Sequence, residues 1–280
     1  MNIEELKTLA TQVRRDILRM VYHAKSGHPG GSLGCADFLT ALYTNILQAT
    51  PQSFTEKGKG EDMFFLSNGH ISPVWYSVLA RTGYFPVSEL ATFRVFGSRL
   101  QGHPSNHYNL PGIRIASGSL GQGLSIAVGA ALAKKLNNDS QTVYVLTGDG
   151  ELDEGQNWEA ILFASANKVD NLIAVVDYNK KQIDGSTDDV CSLGNLRAKF
   201  EAFDWQVMEM DGNDMADILD KMAIAKDNTR NQKPVVVLMH TEMGMGVDFM
   251  MGTHKWHGTP PNTEQIEKAL AQLPETIGDY

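Results

Sequence analysis

Residues 142–185 read TVYVLTGDGELDEGQNWEAILFASANKVDNLIAVVDYNKKQIDG, and the order of elements in this stretch decides the fold. Thr142 to Thr147 is rich in β-branched and aromatic residues and runs into Gly148-Asp149-Gly150, so a buried strand ends with a carboxylate held between two glycines. Gln156 to Ala166 carries Trp158, Ile161, Leu162 and Ala166 at helical spacing, and Asn171 to Asp177 (NLIAVVD) is a second continuous apolar strand. Strand, helix, strand implies a right-handed crossover in a parallel sheet, with both polar turns at carboxyl ends of strands. That edge is where open α/β sheets bind ligands.

The chemistry of the two turns suits a phosphate and a hard cation. Glycine lets backbone approach a phosphate closely, and the helix after the glycines is expected to turn its positive end toward the same anion. Mg²⁺ prefers oxygen in an octahedron and usually takes only one or two protein carboxylates beside phosphate oxygens. Asp149, the Asn179 amide oxygen and one backbone carbonyl form a suitable half-shell. Asp before Gly also makes ordinary tight bends, so the weight rests on spacing and strand context.

Outward from this stretch, residues 3 to 25 place Leu6, Leu9, Val13, Ile17, Met20 and Val21 on one face of an amphipathic helix. SGHPGGSLG at 26–34 reads as a turn holding His28, before a helix from about Ala36 to Leu47. MFFLSNGH at 63–70 is a short buried strand running into His70, and Arg94 to Asn106 is a loop presenting His103 between Gly102 and Pro104. Pro111 to Ala133 is glycine-rich and then becomes a helix of small residues, its glycines serving either helix packing or ligand approach. Trp205 to Met210 alternates as a strand, Met215 to Ala225 is a helix, and Pro234 to His240 is a further buried strand. A loop with His254 and His257 follows, then a helix from about Thr263 to Leu273. At an ordinary glycine usage of roughly 7%, about one of the eight histidines should adjoin a glycine, whereas His28, His70, His103 and His257 all do. That repetition favours a built site of neutral imidazoles in open loops, able to donate and accept hydrogen bonds to phosphate or sugar.

The 280 residues, 42% hydrophobic, fit a single α/β domain spanning 1–280. A net charge of −9 without long runs of one sign disfavours nucleic acid and anionic membrane as main partners and leaves room for a local phosphate site. Only Cys35 and Cys191 occur, far apart, so no disulfide framework or cysteine zinc site is indicated and a reducing cytoplasm fits. No stretch reaches the roughly 18 apolar residues of a membrane span.

SGHPGG at 26–31, SNGH at 67–70, GHP at 102–104, SLGQG at 119–123, GDG through Asn179, and H-x-x-H-G at 254–258 together resemble the amino-terminal domain of transketolase over nearly the whole chain. Pyruvate dehydrogenase type enzymes share only the GDG and Asn part. The resemblance implies an α/β fold with a parallel sheet flanked by helices, binding thiamine diphosphate and Mg²⁺, and transfer of a two-carbon ketol unit from a ketose (phosphate) to an aldose (phosphate). It implies Asp149, Asn179 and the Lys181 carbonyl as metal ligands. It turns Gly150, His70 and His254 toward the diphosphate or the substrate beside it, sets His28 and His103 on sugar hydroxyls, and lays Gly118 and Leu120 along the cofactor. Glu154 looks across a dimer interface toward its twin. Ser119 stands where many transketolases have proline, and Lys181 where an apolar residue is usual; the lysine stem either leaves a cation near Mg²⁺ or carries it outward.

In this family the thiamine ring is clamped between two domains, and the glutamate that activates the aminopyrimidine comes from the pyrimidine-binding domain. No residue here takes that role, so the chain is expected to work with a separate carboxyl-terminal subunit, two copies of each forming a heterotetramer. Two other readings exist: a subunit of another thiamine diphosphate-dependent carbon–carbon lyase or synthase, or a non-catalytic binding subunit. A zinc hydrolase built on His254 and His257 lacks an obvious third ligand.

Overall fold

Strands that are apolar on both faces need a layer of helices on each side. The computed structural model, which describes residues 1–280, supplies both layers. In chain order the elements are α1 (Ile3–Ala24), α2 (Pro29–Gly34), α3 (Ala36–Ala41), β1 (Met63–Leu66), α4 (Ser72–Arg81), α5 (Gln122–Leu136), β2 (Val143–Gly148), α6 (Gly155–Ala166) and β3 (Leu172–Asp177). They continue with β4 (Lys181–Gln182), β5 (Gly185–Ser186), α7 (Thr187–Val190), α8 (Leu196–Ala202), β6 (Gln206–Asp211), α9 (Met215–Asp227), β7 (Val235–His240) and α10 (Thr263–Gln272). Five strands form one parallel sheet in the order β1, β2, β3, β7, β6, while β4 and β5 make a small antiparallel hairpin.

Alternation along the strands feeds two cores. Tyr144, Leu146, Ile173, Val175, Val235 and Val237 face α1, α4, α9 and α10. Val143, Val145, Leu172, Ala174, Val176 and Val236 face α5, α6 and α8. The register sets Gly148 opposite Asp177 and Asp177 opposite Met239, so the turns after β2, β3 and β7 emerge side by side on one edge of the sheet.

The expected strands and the long first helix are present, and three expectations need correction. Residues 29–34 are helical rather than a turn: Pro29 occupies the start, where its missing N–H costs nothing, and glycines let the backbone pack closely. A Cβ on Gly31 would lie 2.9 Å from Ile71 Cγ2. The helix expected at 36–47 is two pieces, α3 and a π-helical turn over Leu42–Ile46. In α6 the buried face is Asn157, Ala160, Ile161 and Ala164, which leaves Leu162 and Ala166 outside. α4 gave no sequence signal because it is buried from Ser72 to Ala80, and a helix apolar all round shows no period.

A capping box of Asn2 and Glu5 starts α1, and Lys25 in the left-handed conformation (φ 48°) ends it. Buried Asp16 binds Arg81 at 2.8 Å and so ties α1 to α4. The tail folds back on α1 through Asp279, which accepts from Arg15 at 2.7 and 2.9 Å and from Gln12 at 2.8 Å. The Arg15 hydrogen bond holds the Asp279 carboxyl down at about 2. A depressed folded value contributes stability that is present above the ordinary carboxylate range and lost as pH falls from about 4 toward 2. Asp279→Asn is expected to cost about 1 kcal/mol at pH 6, a figure reduced for solvent screening, and progressively less toward pH 2, where the carboxyl is about half protonated. Urea unfolding of both proteins across pH 2–6 checks it; a difference as large at pH 2 as at pH 6 removes the carboxylate from the explanation. No helix is long and apolar enough to cross a membrane.

Candidate active site

The carboxyl ends of β1, β2, β3 and β7 lead into four polar turns, and a cavity of about 230 Å³ opens between them. Its floor is the turn after β2. Asp149 is buried, its two oxygens accepting from the backbone N–H of Gly150 at 2.8 Å and of Lys180 at 2.5 Å. These bonds lock the β2 turn to the loop after β3. Burial, then the nearby Asp177 carboxylate, push the Asp149 carboxyl up to about 8 despite those donors. Asp177, fully buried, is likewise raised, and it accepts from Asn179 Nδ2 at 2.8 Å and from the Thr241 hydroxyl. The amide nitrogen of Asn179 is thereby committed to Asp177, and its oxygen, which accepts from Lys181 N–H at 2.9 Å, keeps a second lone pair.

Two neighbouring buried carboxyl groups, both raised by burial and Asp149 also by Asp177, fit a divalent cation, which would stabilise their charges. No three His, Cys, Asp or Glu side chains converge to hold an ion unaided. A metal here therefore needs oxygen from amide, carbonyl and a bound anion, the donor set Mg²⁺ favours. Gln182 Nε2 and Asn68 Oδ1 are also buried without partners. Both residues line the cavity, where a polar ligand would satisfy them.

Glu151 was not foreseen, because an acid after a glycine turn reads as an ordinary first-turn residue. It lines the cavity, is buried, and accepts from Gly121 N–H at 2.9 Å, Gly148 N–H at 3.0 Å and the Ser67 hydroxyl. One carboxylate thus joins the turns after β1 and β2 to the start of α5. The positive helix end expected at the anion is displaced: a single 3₁₀ turn (Gly150–Asp153) follows Asp149, and α6 begins only at Gly155.

Histidines form the opposite wall. The His28 ring lies 5.1 Å from His70, 5.6 Å from His257 and 6.3 Å from His103, between centroids. His70 and His257 are 5.1 Å apart. Burial first, then neighbouring imidazoles, lower His28 to about 4 and hold His70 well below its ordinary value; burial also lowers His103 and His257. All four rings are neutral at pH 7. Nδ1 of His28 and of His257 is buried without a partner. Gly118 (φ 121°) is needed where it stands, since a Cβ there would lie 2.6 Å from the His103 ring.

Gly118, Leu120, Gly150, His28, His70 and Asn179 line the cavity as expected of their positions. His254 does not: His257 N–H bonds His254 O at 2.9 Å, closing a turn in which His257 enters the cavity and His254 stays outside. Trp256, buried and bonded to Phe249 O at 2.9 Å, fixes that turn. Glu154 is exposed beside Gly121 and also lies outside the cavity lining. The Lys181 ammonium turns to Glu242 at 3.2 Å.

A family model described as transketolase, thiamine diphosphate binding domain, matches residues 6–274. The chain is 39% identical over 277 residues to an apulose-4-phosphate transketolase subunit of Phocaeicola vulgatus, covering 99% of this chain and 96% of that protein. It is 38% identical to the 6-deoxy-6-sulfo-D-fructose transketolase subunit SqwG of a Clostridium species, covering 96% of each. The solved transketolase of Campylobacter jejuni superimposes with a TM-score of 0.89 at 36% identity, over 98% of this chain and 43% of that one. The chain thus spans about two fifths of the length of the solved transketolases it matches, 42% for that of Leishmania mexicana.

Proposed function

We propose a function from one premise: the chain belongs to the transketolase thiamine diphosphate-binding domain family, whose model spans residues 6–274. Its fold is that family's parallel sheet flanked by helices. Our reading is that residues 1–280 form one diphosphate- and Mg²⁺-binding domain of an enzyme that moves a two-carbon ketol unit between a ketose and an aldose. The observation that carries it is the convergence of His28, His70 and His257 on a cavity floored by Asp149 and Asn179, with His103 outside its lining, 6.3 Å from the His28 ring. Thiamine diphosphate, when bound, supplies the carbon nucleophile for the transfer.

The chain's own residues would then divide the work. Asp149, the Asn179 amide oxygen and the Lys181 carbonyl would hold Mg²⁺, with Asp177 orienting the amide. Gly150, Gly118, Leu120 and His70 would lie along the cofactor. His28 and His257, with unpaired buried Nδ1 atoms, would bond substrate hydroxyls and pass protons to and from them, and His103 would do so from the rim. Glu154, exposed, would face a second copy of the chain. The two relatives are named for apulose 4-phosphate and 6-deoxy-6-sulfo-D-fructose, sugars that differ in their anionic ends. We therefore assign this half of the site to the ketose hydroxyls and the anionic end to another polypeptide, in the cytoplasm.

His28→Ala and His257→Ala should leave thiamine diphosphate affinity within about twofold and lower turnover by the ~10²- to 10⁴-fold typical of a lost acid–base group. Separate kcat, KM and calorimetric Kd values for the complete enzyme decide it. Wild-type turnover in both variants returns these histidines to a structural role.

A further inference from the structure

We propose that Lys181 and Glu242 form a strap that positions His257, tying the loop of the proposed metal ligands to the loop that carries this histidine. The pair joins residues 61 apart in sequence, with Lys181 Nζ 3.2 Å from Glu242 Oε1 and both side chains partly shielded from solvent. The same Glu242 oxygen accepts Gly252 N–H at 2.8 Å, so the carboxylate closes the loop after β7 on itself while holding the lysine. Glu242 is anchored in turn, its N–H donating to Asn213 Oδ1 at 2.8 Å. On the other side, Lys181 N–H donates to Asn179 Oδ1 at 2.9 Å, and Lys181 pairs with Ser186 in the β4–β5 hairpin. One residue therefore fixes the Asn179 oxygen through its backbone and the histidine loop through its side chain.

The two loops also approach each other near their tips: Ile183 Cδ1 lies 3.9 Å from where a Gly258 Cβ would stand. Backbone bonds from Gly30 N to Trp256 O and from Gly244 N to Gly30 O hold the ends of the histidine loop against α2. Within the interval, where Trp256 Nε1 bonds Phe249 O and Asp248 bonds Gln272, Glu242 adds the bond to the N–H of Gly252 (φ 73°). The strap thus acts locally, on residues 248–258. It also explains why a lysine is tolerated at a position whose carbonyl is assigned to Mg²⁺, since its ammonium is neutralised by Glu242.

This inference rests on the sugar-facing role given to His257, so its test has a readout that needs no catalysis. Hydrogen exchange of residues 248–258 is followed in the full chain for wild type, Lys181→Met, Lys181→Arg and Glu242→Gln. Lys181→Met should speed exchange there by about two- to fivefold, the range expected for a partly exposed pair, and Lys181→Arg, which keeps a cation for Glu242, should stay near wild type. In the complete enzyme, Glu242→Gln should raise ketose KM by a similar factor while thiamine diphosphate affinity stays unchanged, because Glu242 lies outside the cavity lining. Unchanged exchange in Lys181→Met and Glu242→Gln overturns the strap. Loss of cofactor affinity in Lys181→Met with unchanged exchange also overturns it and gives Lys181 to the diphosphate instead. Faster exchange in Lys181→Met and Glu242→Gln but not in Lys181→Arg, with KM unaltered, keeps the strap and sinks the role of His257.

Discussion

Asp149→Ala is expected to abolish Mg²⁺-dependent binding of thiamine diphosphate while leaving the chain folded. The proposed half-shell has one formal charge, on Asp149; the Asn179 amide and a backbone carbonyl bring none. Outer-shell partners of metals typically cost about 10- to 100-fold in affinity when removed, so loss of the only charged ligand should exceed that. Burial and Asp177 disfavour the ionised Asp149 carboxylate in the free chain, so its charge adds no stability there and forms most readily when a cation binds. Alanine does leave the N–H groups of Gly150 and Lys180 without acceptors, at a cost of about 1–3 kcal/mol each where no water replaces them. Asp149→Asn separates the two effects, because its amide oxygen can still accept one of these bonds. It should melt near wild type in chelator yet bind cofactor as poorly as the alanine variant. Calorimetry at saturating Mg²⁺, with thermal melts in EDTA, reads both quantities. Cofactor affinity that survives in the asparagine variant puts the metal elsewhere.

The sequence made the floor of this site legible because every device there is local. A β-branched run ending in Gly-Asp-Gly, and an apolar run ending in Asp-x-Asn, each specify a strand and its turn within about ten residues. The excess of Gly-His pairs showed that the loops belong to a site, but not which histidine of 254 and 257 enters it. Those two sit in a turn, where no periodicity tells inward from outward, and the deciding contacts are the Trp256 anchor and the rings of His28 and His70. Glu151 was hidden for a similar reason: its partners Ser67 and Gly121 are 84 and 30 residues away. Long-range polar pairs such as Lys181 with Glu242 leave no pattern in one chain, and the uniformly buried α4 leaves no amphipathic one.

The largest change in activity is expected when a second polypeptide is supplied. Small-molecule pockets usually enclose about 300–1,000 Å³, and the cavity here, at about 230 Å³, fits part of a cofactor rather than all of it. None of its lining side chains stacks an aromatic ring on a pyrimidine, and the wall opposite Asp149 is histidine. The relatives from Phocaeicola vulgatus and Actinobacillus succinogenes, both named as transketolase subunits, are matched over 96% and 97% of their own lengths, so domains of this extent serve as subunits there. The surface offers a place for association. Leu162 and Phe163 on α6 and Ile126 on the adjoining α5 are apolar yet 56%, 48% and 38% exposed, and Glu154, just before α6, is exposed too. Burying three such side chains is worth several kcal/mol at about 25 cal/mol per Å², and pairing of identical patches across a twofold axis is the commonest closed symmetry. The expected assembly is therefore two copies of this chain with two of a polypeptide carrying the pyrimidine-binding half. Alone, the chain should transfer no two-carbon unit between ketose and aldose phosphates; with a co-expressed partner it should turn over at an ordinary enzymatic rate of about 1–10³ per second. Leu162→Glu with Phe163→Glu should dissociate the assembly by light scattering and lower activity in parallel, while the folded chain keeps its melting temperature. Robust turnover by the purified chain alone sinks the half-enzyme reading. An intact assembly in the double variant moves the interface to another face.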